Sequence, residues 1–120
     1  MTTMTPPKPK RGDVVLVLFP HSDLRTAKPR PALVVQADNL GTELPQVIVA
    51  MITSKTFRAK HPSRVLIKLE SSEGKNSGLL TDSVVMTDNL ATITDIAVDR
   101  VIGKLPMKAI DKALKHTLDL

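Results

Sequence analysis

The 120-residue chain contains no cysteine, tryptophan or tyrosine, and only two phenylalanines. The absence of cysteine excludes disulfides, thiolate-bound zinc and a thiol nucleophile. The histidines His21, His61 and His116 do not have the spacing of metal ligands, so we expect neither a metal nor another cofactor. Aromatic residues make up 2% of the chain, which argues against nucleic-acid recognition by broad stacking platforms.

Long apolar runs are also missing. The longest spans residues 14–19, too short for a membrane span or a convincing signal peptide. We therefore expect a cytoplasmic protein with no membrane partner. The length and the 42% hydrophobic content suit one modest core. We expect residues 1–10, rich in Thr, Pro and Lys, to be a flexible tail, and residues 11–120 to form a single domain.

Charge is distributed unevenly along the chain, which has a formal net charge of +5. No acid lies between Glu43 and Glu70, and from Glu70 to Asp99 the sign reverses. The basic residues of the acid-free stretch are Lys55, Arg58, Lys60, Arg64 and Lys68. The pattern fits either two solvated faces of opposite sign or a basic rim that meets a nucleic acid or an acidic protein.

The pattern of apolar residues predicts a mainly β protein that ends in a helix. Strands are predicted at 14–19, 31–37, 47–52, 65–69, 79–86, 91–94 and 101–105. A polar loop is predicted at 21–28, a loop or short helical turn at 55–64, a loop at 71–78 and a turn at 88–89. No clear crossover helix separates the strands, so the sheet is expected to be mainly antiparallel.

The final helix is predicted to start with Pro106 at its first position. Met107, Ile110, Leu114 and Leu118 fall on one face of it. This helix would close one side of a small barrel. The first strand lacks polar alternation, so both its faces should be covered. One helix cannot easily cover so much apolar surface, which predicts a homodimer.

Arg30 stands between two prolines, in the segment KPRPALVVQ at 28–36. Proline fixes φ, removes an amide donor and favours an extended residue before it. Arg30 is therefore predicted to be held extended at the mouth of a strand. A stiffly mounted cation suits a phosphate-handling site, although an ordinary basic loop residue would look the same in this stretch alone.

Four segments carry further information through their order and spacing. They are KRGDVV at 10–15, KPRPALVV at 28–35, VAMITS at 49–54, and SGL at 77–79 followed by DSVV at 82–85 and LATI at 90–93. Together they resemble the MazF/PemK (Kid) family of toxins from type II toxin–antitoxin pairs. The resemblance extends from about Arg11 to the final helix.

The resemblance implies a small antiparallel SH3-like barrel with a C-terminal α-helix, usually as a homodimer. It implies a toxin that inhibits growth as a sequence-selective, metal-independent endoribonuclease acting on single-stranded RNA (mRNA). The implied partners are RNA and an acidic antitoxin, with DNA reached only indirectly through the antitoxin.

The resemblance also assigns site residues. Arg30 matches the family's catalytic arginine and Thr53 its active-site threonine, while His21 and Asp23 lie in the loop that flanks the RNA groove. Further residues expected to bind RNA are Lys28, Ser54, Lys55, Arg58, Ser83 and Asp88.

The chemistry of these residue types agrees with that assignment. Metal-free RNA cleavage uses the substrate's own 2′-hydroxyl as nucleophile and gives a cyclic phosphate. Arg30 offers fixed donors to phosphate oxygens, and a guanidinium suits charge stabilisation better than proton donation. Thr53 can hydrogen-bond a phosphate oxygen or the 2′-hydroxyl. His21 and Asp23 are candidate bases.

Three positions depart from the family pattern. Met86 stands where some relatives have an arginine, Ala91 where many have a basic residue, and Val15 where an aromatic is usual. The losses at Met86 and Ala91 could weaken cleavage or change sequence preference. Two alternatives therefore remain open: a gyrase-poisoning toxin of the CcdB type, and a catalytically weakened binding module of the same fold.

Overall fold

The computed structural model describes residues 8–20 and 27–120. Residues 1–7 of the predicted tail and residues 21–26 of the predicted loop lie outside that range. The described strands are β1 (Asp13–Pro20), β2 (Ala27–Val34), β3 (Gln46–Thr53), β4 (Arg64–Ile67), β5 (Ser83–Thr94) and β6 (Val98–Lys104). The helices are α1 (Ser72–Ser77) and α2 (Lys108–Leu118), and short 3-10 turns span Thr56–Ala59 and Asp95–Ala97.

The strands form one six-stranded antiparallel sheet in the order β4-β5-β3-β2-β1-β6. The predicted mainly β, antiparallel fold with a C-terminal helix is confirmed. The sheet is not closed into a barrel, because β4 and β6 remain its two edges within the described residues. Helix α1 follows β4 and its end packs against β6, so a helix and not a strand ladder links the edges.

The strands bury apolar side chains on both faces. Val14 and Leu33 belong to one cluster with Ile110 of α2, while Val15 and Val17 belong to a second cluster on the other face. Both faces of β1 are covered in part: Val14, Val15 and Val17 are fully buried, whereas Leu16 and Leu18, on the same face as Val14, are only partly buried. A single chain therefore covers one face of β1 better than the other.

Helix α2 begins at Lys108 and not at Pro106. The delay has a backbone cause: the N–H of Leu105 still donates to the carbonyl of Gly12 at 2.9 Å, so the chain leaves the sheet only after that residue. Ile110 is buried as predicted, but Leu118, at the far end of the predicted apolar face, is half exposed. Lys115 and His116 lie in the last turn, where the helix dipole favours positive charge.

The predicted loop at 71–78 is wrong, because residues Ser72–Ser77 form a short helix. The Oγ of Ser71 accepts the N–H of Gly74 at 3.0 Å and caps the first turn. Gly78 ends the helix with a φ of 74°. A serine before the helix and a glycine after it are recognisable capping residues, but the abundance of Ser and Gly in between concealed them.

Candidate active site

Strand β2 spans Ala27–Val34, so Arg30 lies inside the strand. The predicted strand at 31–37 had placed Arg30 just before it. Hydrogen bonds at its end show which way alternate residues point. The carbonyl of Val34 accepts from Gly12 at 2.9 Å on the β1 side, while the N–H of Val35 donates to Ile48 of β3 at 3.1 Å. Even-numbered backbone groups of β2 therefore face β1, and odd-numbered ones face β3.

Pro29 and Pro31 consequently turn their missing N–H donors toward β3. The β1–β2 ladder continues to Ala27, but the β2–β3 ladder stops at the pair Ala32–Met51. Proline in an interior strand is tolerated only where no ladder bond is needed. The two prolines thus end the pairing on one side, and a gap opens between β2 and β3 beside Arg30.

The gap leads into a cleft of about 670 Å³. Its apolar lining includes Pro31, Ile52, Leu79 and Ile102. The polar and charged lining residues are Lys28, Arg30, Thr53, Ser54, Lys55, Arg58, Thr81, Ser83, Asn89 and Arg100. No aspartate, glutamate or histidine of the described chain lines it. The cleft is therefore strongly electropositive and suits a polyanion.

Arg30 and Thr53 lie on facing strands at the mouth of this gap. If the β2–β3 register is extended two residues beyond Ala32–Met51, Arg30 comes opposite Thr53. The Oγ1 of Thr53 accepts the N–H of Lys55 at 3.2 Å, which fixes the oxygen and keeps the hydroxyl proton for a donor role. The exposed Arg30 contributes a guanidinium with several N–H donors.

The cleft brings together most of the residues that the sequence assigned to the site, but not all. His21 and Asp23, the candidate bases, lie outside the described residues. Asp88 does not line the cleft. Ser83 does, but it is buried and its Oγ donates to the carbonyl of Thr81 at 2.9 Å. Arg100 of β6 lines the cleft and was missed, because the predicted strand began at residue 101, whereas β6 begins at Val98.

Although Met86 is uncharged, a cation lies next to it in the cleft. Arg58 reaches it from the 3-10 turn Thr56–Ala59, and its Nη1 lies 3.9 Å from the Sδ of Met86. A cation therefore lies beside Met86, but it comes from the 3-10 turn and not from the fifth strand. Arg100 of β6 is a further cation in the lining of the cleft.

Asp88 is engaged by Arg64 in a two-pronged pair. Arg64 Nη2 lies 2.7 Å from Asp88 Oδ2, and Arg64 Nε donates to Oδ1 at 3.2 Å. The hydrogen bond from Arg64 is the main cause that lowers the pKa of the Asp88 carboxyl below its usual range, and the same bond raises the pKa of Arg64. Arg64 Nη1 also donates to the carbonyl of Arg58 at 3.2 Å, so the pair anchors the turn that carries Arg58.

This pair predicts a pH-dependent contribution to stability. A carboxyl whose pKa is lowered by folding stabilises the fold above its unfolded pKa of about 3.9, and the contribution is lost as pH falls through the lowered value. We expect Asp88→Asn to lower the melting temperature slightly from pH 5 to 8, with the difference from wild type closing below about pH 4. Asp99→Asn is the matched control, since Asp99 lies 4.0 Å from Arg100 in an exposed pair. A difference that persists unchanged at pH 2 would contradict the assignment.

Two further features bear on the site. The described residues contain no group of three or more His, Asp or Glu side chains placed to hold a metal ion. Neither α-helix in the described ranges has the length and apolar content that crossing a membrane requires.

Comparison with known proteins decides the family. The family model for PemK-like, MazF-like toxins of type II toxin–antitoxin systems matches residues 10–118. The chain belongs to this family. The MazF/PemK resemblance seen in the sequence is therefore confirmed.

Individual members of the MazF/PemK family show the same likeness. Endoribonuclease MazF6 of Mycobacterium tuberculosis is 32% identical over 107 residues, covering 86% of this chain and 90% of the relative. The structure of the M. tuberculosis toxin MazF-mt6 has a TM-score of 0.69 at 26% identity, covering 90% of this chain and 97% of that one. A mycobacterial endoribonuclease in complex with its cognate antitoxin has a TM-score of 0.71 at 24% identity, covering 93% and 96%, and supports the fold alone.

Proposed function

We propose that this toxin is a metal-independent endoribonuclease that cleaves single-stranded RNA through its 2′-hydroxyl. The observation that carries the proposal is the acid-free cationic cleft. The cleft opens beyond the last β2–β3 pair, Ala32–Met51, where Arg30 and Thr53 face each other across the gap. The relative MazF6 bears the name endoribonuclease, which supports the same activity. We place the protein in the cytoplasm, where cleavage of mRNA would inhibit growth. Residues 11–120 would act as one domain.

In this proposal each residue has a defined role. A base takes the proton of the RNA 2′-hydroxyl, and the oxygen attacks the adjacent phosphorus. The bond from phosphorus to the 5′-oxygen breaks, the 5′-oxygen takes up a proton from water, and a cyclic phosphate forms. Arg30 stabilises the negative charge that develops on the phosphate oxygens, and the hydroxyl of Thr53 donates a hydrogen bond to one of them. Lys28, Ser54 and Lys55 would hold neighbouring phosphates, and Arg58 and Arg100 are further cations of the cleft that could contact more distant phosphates. His21 and Asp23 remain the candidate bases, and no cofactor is required.

The activity is tested by incubating the purified protein with a mixed-sequence single-stranded RNA in EDTA. We expect fragments that end in a cyclic phosphate. Intact RNA would favour the alternatives, and a gyrase supercoiling assay would then separate a CcdB-type toxin from a silent binding module. Arg58 and Arg100 line the cleft although Met86 and Ala91 are not basic, so the cleft keeps the cations that RNA binding requires.

We also propose that an acidic antitoxin segment binds across the same cleft and blocks it, and that any contact with DNA is made through the antitoxin. A related mycobacterial endoribonuclease has been solved with its cognate antitoxin. Of the predicted basic rim, Lys55 and Arg58 line the cleft, whereas Arg64 is paired with Asp88. Complementary charge acts mainly on association rate and weakens with salt.

Lys55→Glu is therefore expected to slow association with the antitoxin at low salt, by about tenfold or more, with a smaller effect at high salt. Lys75→Glu is the control, because Lys75 is an exposed cation of α1 that does not line the cleft. Surface plasmon resonance at two salt concentrations measures both rates. Equal association rates for the two variants would contradict binding across the cleft.

We retain the homodimer as a proposal, now on different grounds. Edge strand β4 exposes Leu66, and Leu69 just beyond it is also exposed. An unpaired apolar strand edge favours association with another chain. Sedimentation equilibrium at micromolar concentration checks the stoichiometry, and a monomer there would contradict the proposal.

A further inference from the structure

Phe57 is a large aromatic side chain exposed to solvent. Its exposed fraction is 76%, and no residue of its turn, Thr56–Ala59, is buried. The Phe57 side chain therefore contributes nothing to the buried apolar core. It is also one of only two phenylalanines in a chain without Trp or Tyr.

The position of Phe57 ties it to the cleft. The guanidinium carbon of Arg58, which lines the cleft, lies 5.8 Å from the centroid of the Phe57 ring. This distance lies within the range of a cation–π contact. The ring therefore stands directly beside one of the cations of the cleft, at its rim.

The turn that presents Phe57 is held in place by several bonds. The N–H of Arg58 donates to the carbonyl of Lys55 at 3.0 Å, and Arg64 Nη1 donates to the carbonyl of Arg58 at 3.2 Å. Arg64 is in turn fixed by its two-pronged contact with Asp88. An aromatic ring on an anchored turn loses little conformational freedom when a ligand stacks on it.

We infer that Phe57 is a stacking surface for one unpaired base of the bound RNA, while Arg58 beside it contacts the adjacent phosphate. The inference rests on the proposed function and adds a residue that contributes to affinity and substrate choice. A base and a phosphate are the two features that a nucleic acid offers at neighbouring positions, and an exposed ring beside a guanidinium matches both. Because a base inside a duplex is already stacked between its neighbours, this contact also favours single-stranded substrates.

The composition of the chain makes a direct NMR test simple. Ring protons of phenylalanine come only from Phe19 and Phe57, and the spectrum of Phe57→Leu assigns the latter. The ligand is a mixed-sequence 2′-O-methyl RNA oligonucleotide, which cannot be cleaved through its 2′-hydroxyl. We expect the Phe57 ring signals to move upfield as this oligonucleotide saturates the protein, and to stay in place with inorganic polyphosphate. Signals that do not move, or that move equally with polyphosphate, would overturn the inference.

Affinity provides a second test. Stacking by one aromatic side chain predicts that Phe57→Leu weakens oligonucleotide binding by about 5- to 150-fold at constant salt, without changing the dependence on salt concentration. Phe57→Tyr should bind like wild type, because its ring stacks equally well. Ile96→Ala is the control, since Ile96 is 91% exposed but does not line the cleft.

The outcomes separate this inference from the proposed function. RNA cleavage by wild type with an unmoved Phe57 ring would overturn the inference alone. A moved ring in a protein that leaves natural RNA intact would support the inference and contradict the proposed activity. If Phe57→Leu weakened binding of an acidic polypeptide but not of the oligonucleotide, Phe57 would belong to a protein interface and the inference would be wrong.

Discussion

Arg30→Ala is expected to lower the rate of RNA cleavage by about 100- to 1000-fold, the usual cost of removing one pre-positioned charge-stabilising donor. Arg30 lies inside β2 and is paired through its backbone with Val17, so its position does not depend on its side chain. Because that side chain is exposed, the melting temperature should stay close to that of wild type. Single-turnover cleavage in EDTA, with protein in excess, measures the effect on chemistry.

Two variants sharpen the test of Arg30. Arg30→Lys should also be poor, because an ammonium cannot reproduce the planar two-pronged contact with a phosphate. Lys60→Ala is the control for general loss of charge, since Lys60 is exposed and does not line the cleft. If Arg30→Ala cleaved as fast as Lys60→Ala, Arg30 would have no role in the mechanism.

Gly78→Ala is expected to have the largest effect on stability. Gly78 ends α1 with a φ of 74°, and an added Cβ would lie only 2.1 Å from the carbonyl oxygen of Ile102. A left-handed conformation costs a residue with a side chain about 1–2 kcal/mol, and overpacking typically adds about 1–3 kcal/mol. We expect the free energy of unfolding to fall by about 2–5 kcal/mol. Since Gly78 and Ile102 also line the cleft, the wall of the cleft should shift in the molecules that still fold.

Gly41→Ala separates the two contributions. Gly41 also has a φ of 74°, but an added Cβ there would meet no atom within 4 Å. Urea unfolding should therefore show a loss of only about 1–2 kcal/mol for this variant. Equal losses for Gly41→Ala and Gly78→Ala would contradict the close packing of the α1 end against β6.

Local pattern was sufficient to predict much of the fold. The unbroken run at 14–19 has no polar alternation, and β1 has fully buried residues on both faces, Val14 on one and Val15 and Val17 on the other. The 55–64 segment holds the short helical turn that was one of its two predicted forms. The fifth strand was harder, because the predicted turn at 88–89 is a bulge inside one continuous strand. There the β3–β5 register jumps from Ala50–Leu90 to Met51–Met86. A bulge depends on the partner strand, which a single sequence does not specify.

The site shows the same limit more clearly. From the sequence, Pro29 and Pro31 were expected to hold Arg30 in an extended conformation. That they also end the hydrogen-bond ladder toward β3 was not predicted. Which neighbour a strand loses depends on the order of strands in the sheet. Arg100 and Asp88 depend on tertiary structure in the same way: β6 brings Arg100 to the cleft, and the contact with Arg64 occupies Asp88. Long-range pairing, and not local propensity, decided each of these positions.

The most direct measurement of the central claim uses two oligonucleotides that differ at one atom. A single-stranded RNA is first cut by the wild-type protein in EDTA to locate the cleaved bond. The same RNA is then made with 2′-deoxyribose at the nucleotide whose 2′-hydroxyl would attack. We expect the all-RNA strand to give a cyclic phosphate and the substituted strand to remain intact at that bond, while both bind with similar affinity. Cleavage of the substituted strand at the same bond, or cleavage only after a metal ion is added, would contradict the account.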